Sequence, residues 1–401
     1  MLIHKALYIC FMNPISTNKL TYINAVRGIA ITMVVLLHVA QGVKGLPETF
    51  TYLSSKGSFG VQLFFIASAF TLFLSYSRKS ISDEQFTVRN FFIRRLFRIS
   101  PMYYLAALVY GVICYYLPEY NDGHPLKVGN VILNMLYLNT FIPGSINYLP
   151  PGGWSVGAEM VFYCFVPFLF SRIKNLKTAI QVFVVMLAGS VILQYGIRFT
   201  LTQFGIDYRN PETWFLYYWF PNQAAVFILG IILFFAVQKY SIISKAKATA
   251  LLSVAVLSLV LFYIFGRSVV PFMIVQEHFV VAIFFTIIVF FLSQYHFVLF
   301  DNKLMRFLGE ISFSLYLVHF AVLKLFEQLL PATISGFARY GVLALITFAV
   351  SSLISWITYR TVESKGIEWG NKLIKKYSKN CIASPAATFK QVAKTKESIL
   401  A

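Results

Sequence analysis

Two residues of the first apolar segment carry side chains that are rare inside a membrane. Arg27 and His38 are eleven residues apart, which is close to three helical turns and puts both on one helix face, about 16 Å apart along the axis. Ionisable groups in an apolar span are expensive and are therefore candidates for function. We predict a fixed cation and, farther along, a titratable catalytic base. The alternative is that Arg27 extends to the membrane surface and His38 is a hydrogen-bonded core residue.

A cluster of arginines precedes Pro101 and consists of Arg94, Arg95 and Arg98. Arg95 and Arg98 are three residues apart, so they share a helix face. Guanidinium groups bind phosphate oxygens through two parallel hydrogen bonds. The cluster therefore predicts a phosphate clamp at the cytoplasmic surface, unless these residues only orient the chain in the membrane.

Two further polar stripes occur in apolar segments. They are Trp154, Ser155, Glu159 and Tyr163 in one segment, and Ser312, Tyr316 and His319 in another. Offsets of three, four and seven residues place Ser155, Glu159 and Tyr163 on one helix face, beside Trp154, and place Ser312, Tyr316 and His319 on one face of the other segment. A glutamate in such a place is costly unless it is paired. Each stripe predicts either a polar channel or hydrogen bonds that pack neighbouring membrane helices.

The composition indicates which elements must position these residues. Hydrophobic residues make up 58% of the 401 residues, charged residues only 12%, and the mean hydropathy is +0.71. A soluble domain carries roughly 25% charged residues, so this chain needs a lipid-facing surface. About ten segments are long enough to span a bilayer as helices, namely residues 23–43, 59–76, 101–117, 154–170, 178–200, 214–237, 249–265, 270–293, 311–330 and 340–358. We therefore predict an all-α, polytopic transmembrane bundle.

The basic residues indicate the orientation of this bundle. The net charge is +19, but lysines and arginines concentrate in alternate short loops and in the tail, which predicts two cytoplasmic termini and argues against a nucleic-acid partner. Residues 128–142 are apolar but short, and we interpret them as a re-entrant or interfacial piece on the outer side.

The predicted domains are a cytoplasmic extension (1–22, with the natural start at Met1 or Met12), a membrane domain (23–363) and a basic tail beside anionic lipids (364–401). The cysteines lack metal-ligand spacing, and we predict no metal site.

Six blocks of the sequence, taken in order, resemble the acyltransferase-3 family of membrane acyltransferases. They are the Arg27–His38 pair with its ten-residue spacing, GVQLFFIASAF at 60–70, FIRRLFRISPMYY at 92–104, WSVGAEMVFYCFVP at 154–167, LGEISFSLYLVH at 308–319 and YRTVE at 359–363. Three positions depart from the family pattern. Gln62 stands for the usual Asp, Ala69 for the usual Gly, and Met160 for a second acid.

The resemblance implies transfer of an acyl group, usually acetyl from acetyl-CoA, to a hydroxyl of an extracytoplasmic glycan or lipid-linked saccharide, at a bacterial plasma membrane. Acetyl-CoA is then a substrate, and no cofactor is permanently bound. Arg95 and Arg98, with Arg94 or Arg27, would hold its phosphates, and His38 would act as a base or carry the acyl group itself.

The resemblance also gives the polar stripes roles around the reacting groups. Glu159 would orient His38 or an acceptor sugar, and Trp154 would stack on a sugar ring. The side chains that would line the channel are Ser68, Ser155, Tyr163, Tyr316 and His319. A glycan or lipid transporter, or flippase, is the competing function, because buried charges occur in transporters as well.

Overall fold

The computed structural model describes residues 21–81, 87–117, 126–146, 148–205, 215–242, 244–269 and 273–377. Within these ranges the chain forms α-helices, short 3-10 turns and one π-turn, with no β-strand. The all-α prediction is therefore confirmed. Residues 1–20 and 378–401, which include most of the predicted N-terminal extension and much of the predicted tail, lie outside the described residues.

The helices follow one another through short connections. They are α1 (Thr21–Gln41), α2 (Glu48–Ser55), α3 (Gly60–Ile81), α4 (Thr87–Tyr116), α5 (Val128–Met135), α6 (Gly153–Arg172), α7 (Leu176–Gln203), α8 (Phe215–Tyr218), α9 (Phe220–Lys239), α10 (Lys245–Val269), α11 (Glu277–Gln294), α12 (Lys303–Glu310), α13 (Ser312–Leu329) and α14 (Gly336–Thr358). Among the described residues, nine helical segments are long and apolar enough to cross a membrane, or ten if α12 and α13, which meet at a bend of 81°, count as one span. The polytopic bundle is confirmed, and the side on which each terminus lies stays a prediction.

The helix that carries the arginine cluster is longer than the sequence indicated. The predicted span begins at Pro101, whereas α4 begins at Thr87 and continues through that proline. A proline inside a helix removes one backbone hydrogen bond, but packing in a membrane bundle tolerates this loss. Arg94, Arg95 and Arg98 are consequently held on a regular helix and not on a loop.

Two other regions refine the predicted spans. Residues 128–142 form only the eight-residue helix α5 and a 3-10 turn, Asn139–Phe141, which is too short to cross a bilayer. The span predicted from residue 270 starts at Glu277. At the end of the chain, α14 passes through the π-turn Tyr359–Glu363 into a helix that reaches Tyr377, so the predicted tail begins within a helix.

Helix α1 lies at the centre of the bundle and contacts α3, α12, α13 and α14. Its approach to α12 is unusually close. A Cβ atom on Gly28 would lie 2.0 Å from the carbonyl oxygen of Met305, and one on Gly309 would lie 1.7 Å from that of Asn24. Only glycine allows the two backbones to meet at this separation. The contact holds α1, with Arg27 and His38, in a defined position relative to the start of α13.

Candidate active site

A cavity of about 80 Å³ lies where α1, α3, α4, α6, α12 and α13 meet. Most of its polar side chains were singled out in the sequence. The polar residues that line it are Arg27, Ser68, Thr71, Arg95, Arg98, Ser155, Glu159, Tyr163, Glu310, Ser312 and Tyr316. We call this space the arginine cavity. It unites the cationic cluster of α4 with the polar stripes of α6 and α13, which are far apart in the sequence.

The three arginines of this cavity have more N–H groups than the hydrogen bonds they make with the described protein. Arg27 Nη2 donates a hydrogen bond of 3.0 Å to Thr71 Oγ1. The Nε atom of Arg95 is buried and has no hydrogen-bond partner among the described residues, while its guanidinium lies 5.7 Å from the ring centre of Phe91. Each guanidinium offers five N–H donors. An anion entering the cavity therefore meets unused, charged donors.

The acidic side chains only partly balance this positive charge. Glu159 accepts a hydrogen bond of 2.6 Å from the hydroxyl of Tyr163 and another from the hydroxyl of Ser68. With Glu310, the cavity has two carboxylates against three guanidinium groups. The lining itself therefore carries an excess of guanidinium groups, while the buried Glu363, behind the lining, interacts with Arg98 and Arg27 and offsets part of this charge. Glu159 is held by hydroxyl groups from two different helices.

The tyrosine of α13 closes one end of the arginine cavity. Tyr316 accepts a hydrogen bond of 2.9 Å from Ser155 Oγ and donates one of 3.0 Å to the carbonyl of Gly152. Gly152 is in the left-handed region, with φ of 75°, and a Cβ there would lie 2.7 Å from the Tyr316 hydroxyl. This contact joins the start of α6 to α13, so the two polar stripes meet at one point.

Beyond Tyr316 the structure brings two histidines together. The rings of Tyr316 and His319 are 5.9 Å apart, those of His319 and His38 are 5.4 Å apart, and Phe320 packs 4.4 Å from the ring of His38. His319 is fully buried. Its Nδ1 donates to the carbonyl of Leu315 at 3.1 Å, so Nε2 carries a lone pair, and this atom has no partner among the described residues.

A residue that sequence reasoning missed orients the first histidine. His38 Nδ1 donates a hydrogen bond of 2.9 Å to Oε1 of Gln41, three residues farther along α1. Because Nδ1 carries the proton in this arrangement, the lone pair of the ring lies on Nε2. The i, i+3 spacing on a helix would have indicated the contact, but a glutamine at a helix end has no distinctive signal.

Not all predicted residues converge on the cavity. Arg94 does not line it, although Arg95 and Arg98 do, because Arg94 faces another direction of α4. Trp154 is buried against Tyr218 and Phe65. Glu159 contacts Ser68 and Tyr163, whereas His38 contacts Gln41. The proposed stacking of Trp154 on a sugar and the orienting role of Glu159 stay predictions.

Two of the departures from the family pattern have structural counterparts. Gln62, where an Asp is usual, is buried and donates a hydrogen bond of 3.0 Å to Gln223 on α9. Ala69, where a Gly is usual, packs against Gly230, since a Cβ on that glycine would lie 2.7 Å from the Ala69 side chain. The glycine at position 230 thus leaves room for the Ala69 methyl group at the α3–α9 contact. Nothing in the structure explains Met160.

Comparisons with known proteins agree with this arrangement. The acyltransferase-3 family model, described as an acyltransferase domain, matches residues 20–356. Acyltransferase MdmB of Streptomyces mycarofaciens is 24% identical over 371 residues, which cover 86% of this chain and 91% of that protein. Peptidoglycan O-acetyltransferase OatA of Listeria monocytogenes is 23% identical over 363 residues, covering 85% of this chain and 55% of that protein. No solved structure matches.

The family model spans nearly all of the membrane bundle and includes every residue of the arginine cavity and the histidine pair. The family model describes an acyltransferase domain, so the function is enzymatic. The helices that can cross a membrane make the chain a multi-pass membrane protein. The chain therefore belongs to the acyltransferase-3 family and is a membrane acyltransferase.

Proposed function

We propose that the protein transfers an acetyl group, or another acyl group, from cytoplasmic acyl-CoA to a hydroxyl of an extracytoplasmic glycan. The observation that carries this proposal is the arginine cavity, which Arg95 and Arg98 line together and where Nε of Arg95 has no hydrogen-bond partner among the described residues. CoA carries several phosphate groups, and guanidinium is the side chain best suited to bind them. Arg27 adds a third cation to the same site.

A continuous series of side chains leads from the donor site to the proposed base. Tyr316 lines the arginine cavity, and the rings of His319 and His38 follow it at 5.9 and 5.4 Å. His38 lies about 16 Å along the axis of α1 from Arg27. The thin pantetheine arm of CoA, held by its phosphates at Arg95 and Arg98, would lie along this path with its thioester near His38. Ser155 and Tyr316 would line this path and offer hydroxyl oxygens as hydrogen-bond acceptors, since their protons are donated to Tyr316 and to the Gly152 carbonyl.

The chemistry proposed at His38 can take two forms. In direct transfer, Nε2 takes the proton of the acceptor hydroxyl as its oxygen attacks the thioester carbon, and the C–S bond breaks to release CoA thiolate, which takes up a proton. In the covalent form, Nε2 itself attacks the thioester carbon, the C–S bond breaks and CoA leaves as a thiolate that takes up a proton. In a second step the acceptor hydroxyl attacks the acyl-imidazole, the C–N bond breaks, and the hydroxyl proton is lost to the freed imidazole or to solvent. Gln41, which holds the proton on Nδ1, presents Nε2 correctly for either.

The orientation of the chain in the membrane is part of the proposal. Lysines and arginines concentrate in the loops that follow every second span, and this bias favours cytoplasmic termini. Arg27 is then near the inner side and His38 near the outer side of a bacterial plasma membrane. The relative OatA is named for peptidoglycan O-acetylation, which favours a glycan of the cell envelope as the acceptor class.

The test is acyl transfer by the purified protein in detergent, with radiolabelled acetyl-CoA and crude envelope glycan. We expect label on the glycan and release of CoA thiol, and we expect both to disappear in His38→Ala while acetyl-CoA binding persists. His296→Ala is a matched control, because His296 is half-exposed beside Asp301 and lines neither the arginine cavity nor the histidine pair. Near-normal transfer by His38→Ala would refute the role of His38. Absence of turnover with any acyl-CoA would overturn the donor proposal.

A further inference from the structure

A second cavity, of about 300 Å³, lies at the opposite end of α1 from Arg27. It is enclosed by the end of α1, the 3-10 turn Lys56–Phe59, the tyrosine-rich α8 and the start of α11. The residues that matter for its chemistry are Gln41, Lys56, Ser58, Tyr217, Glu277 and His278. We call it the distal cavity. None of these residues belongs to the arginine cavity.

The charges of the distal cavity compensate one another. Lys56 Nζ lies 2.6 Å from Glu277 Oε1, and the two side chains are only 9% and 17% exposed. The ammonium group also lies 4.3 Å from the ring centre of Tyr52. A buried ion pair of this kind leaves the cavity with no net charge from these groups, in contrast with the arginine cavity. It favours a neutral ligand that can hydrogen-bond to both members of the pair, and it does not attract the anionic donor.

One buried group in the distal cavity lacks a protein partner. His278 is fully buried, and its Nε2 lies 3.5 Å from the carbonyl of Asn222. Its Nδ1 has no hydrogen-bond partner among the described residues. Buried polar atoms are almost always satisfied, so an unpartnered nitrogen on a ring that lines the cavity is a candidate acceptor for a ligand hydroxyl. Hydroxyl groups, which donate and accept, fit this requirement.

The distal cavity is connected to the proposed catalytic base by one side chain. Gln41 lines the cavity, and its Oε1 accepts the hydrogen bond from His38 Nδ1 at 2.9 Å. Leu37, directly before His38, lines the same cavity. A group bound there is therefore adjacent to His38, on the side away from the arginine cavity. The histidine pair thus stands between a cationic cavity and a neutral one.

We infer that the distal cavity is the acceptor site and that it binds a neutral, polyhydroxylated sugar unit. The inference rests on the proposed function and names the substrate class of that site. The Lys56–Glu277 pair, the Ser58 hydroxyl and His278 Nδ1 provide donors and acceptors for sugar hydroxyls, and Phe59 and Tyr217 provide aromatic surface for its apolar face. Gln41 is a positioning residue, because it acts on the acceptor through its bond to His38.

The experiment separates acceptor binding from donor binding. Crude envelope glycan is divided by anion exchange into neutral and acidic fractions, and each is titrated as acceptor with saturating radiolabelled acetyl-CoA. Ser58→Trp fills the distal cavity and Glu277→Gln removes one charge without changing the shape of the side chain. We expect the neutral fraction to be labelled and its KM to rise about tenfold or more in each variant, with the Kd of acetyl-CoA unchanged. Thr49→Trp, an exposed position on the adjacent α2, is the matched control and keeps the wild-type KM.

The outcomes are distinct. An unchanged acceptor KM in both Ser58→Trp and Glu277→Gln, or labelling confined to the acidic fraction, would overturn the inference while leaving acyl transfer intact. Failure of the wild-type protein to label either fraction would overturn the proposed function, and the acceptor site with it. Retained binding of acetyl-CoA reports that a variant is folded, and because Glu277→Gln conserves shape, the test does not depend on the bulkier tryptophan variant alone.

Discussion

Adjacent arginines of α4 offer the sharpest test of the arginine cavity. Arg95 lines the cavity and Arg94, its neighbour in the chain, does not. Both substitutions, Arg95→Gln and Arg94→Gln, remove one positive charge from the same helix turn. If the cavity binds the phosphates of acyl-CoA, Arg95→Gln weakens acetyl-CoA binding and Arg94→Gln does not. If the arginines only orient the chain in the membrane, the two variants behave alike.

The magnitude follows from the contacts of Arg95. Its Nε has no hydrogen-bond partner among the described residues, so the substitution breaks no hydrogen bond at that atom and removes mainly the contact with the Phe91 ring. A hydrogen bond to a charged group contributes about 1.5–3 kcal/mol, and every 1.4 kcal/mol is about tenfold in Kd. We therefore expect Arg95→Gln to raise the Kd of acetyl-CoA roughly 10- to 150-fold, and Arg94→Gln to raise it less than about threefold, because Arg94 lies outside the cavity lining and charges at a distance are screened.

The assay is equilibrium binding of acetyl-CoA to the protein in detergent, with a melting curve for each variant. Arg95→Gln should leave the Tm of the unliganded protein unchanged or raise it, since one of three neighbouring like charges is removed. Binding of pantetheine, which lacks the phosphates, should be the same in both variants and the wild type. Equal values of Kd in Arg94→Gln and Arg95→Gln, or a fall in Tm that accounts for the weaker binding, would refute the phosphate role.

Three other substitutions test the packing and charge balance around the site. Glu159→Gln keeps an acceptor for Ser68 and Tyr163 but removes a negative charge, so acetyl-CoA should bind more tightly, by roughly 3- to 10-fold, because the repulsion between like charges in a partly solvated site is about 4 kcal/mol at 4 Å and falls with their separation; unchanged or weaker binding in a titration would contradict this. Gly28→Ala should destabilise the protein by roughly 1–3 kcal/mol, because its Cβ meets the Met305 carbonyl, whereas Gly129→Ala, with open space around it, should leave the Tm of a detergent melting curve unchanged. Tyr316→Phe removes the hydroxyl that joins Ser155 and Gly152, so it should lower stability by about 1 kcal/mol; an unaltered Tm would show that this contact does not hold α6 to α13.

Most helices of the bundle could be predicted from local sequence patterns. Apolar segments of about 20 residues predict membrane helices because the hydrocarbon core has a fixed thickness, and the described residues contain nine or ten such segments. The predicted span of α4 starts at Pro101, where the apolar run begins, whereas the helix itself starts at Thr87, because a helix can extend beyond the hydrocarbon core and neighbouring helices support it through the proline. The 81° bend between α12 and α13 was not predicted, since Gly309 is needed there for contact with α1 and not for a turn of recognisable sequence.

The candidate site, too, could be predicted only in part from the sequence. Helical periodicity alone determined that Arg95 shares a face with Arg98, and that Ser155, Glu159 and Tyr163 share another, because neighbours three or four residues apart always adjoin on a helix. Only the tertiary structure decided which faces meet. It places Glu159 against Ser68 rather than His38, brings His319 beside His38, and opens a second cavity at Lys56 and Glu277. Such contacts join residues up to several hundred positions apart, and they depend on how helices pack, which the 3.6-residue period of a single helix does not encode.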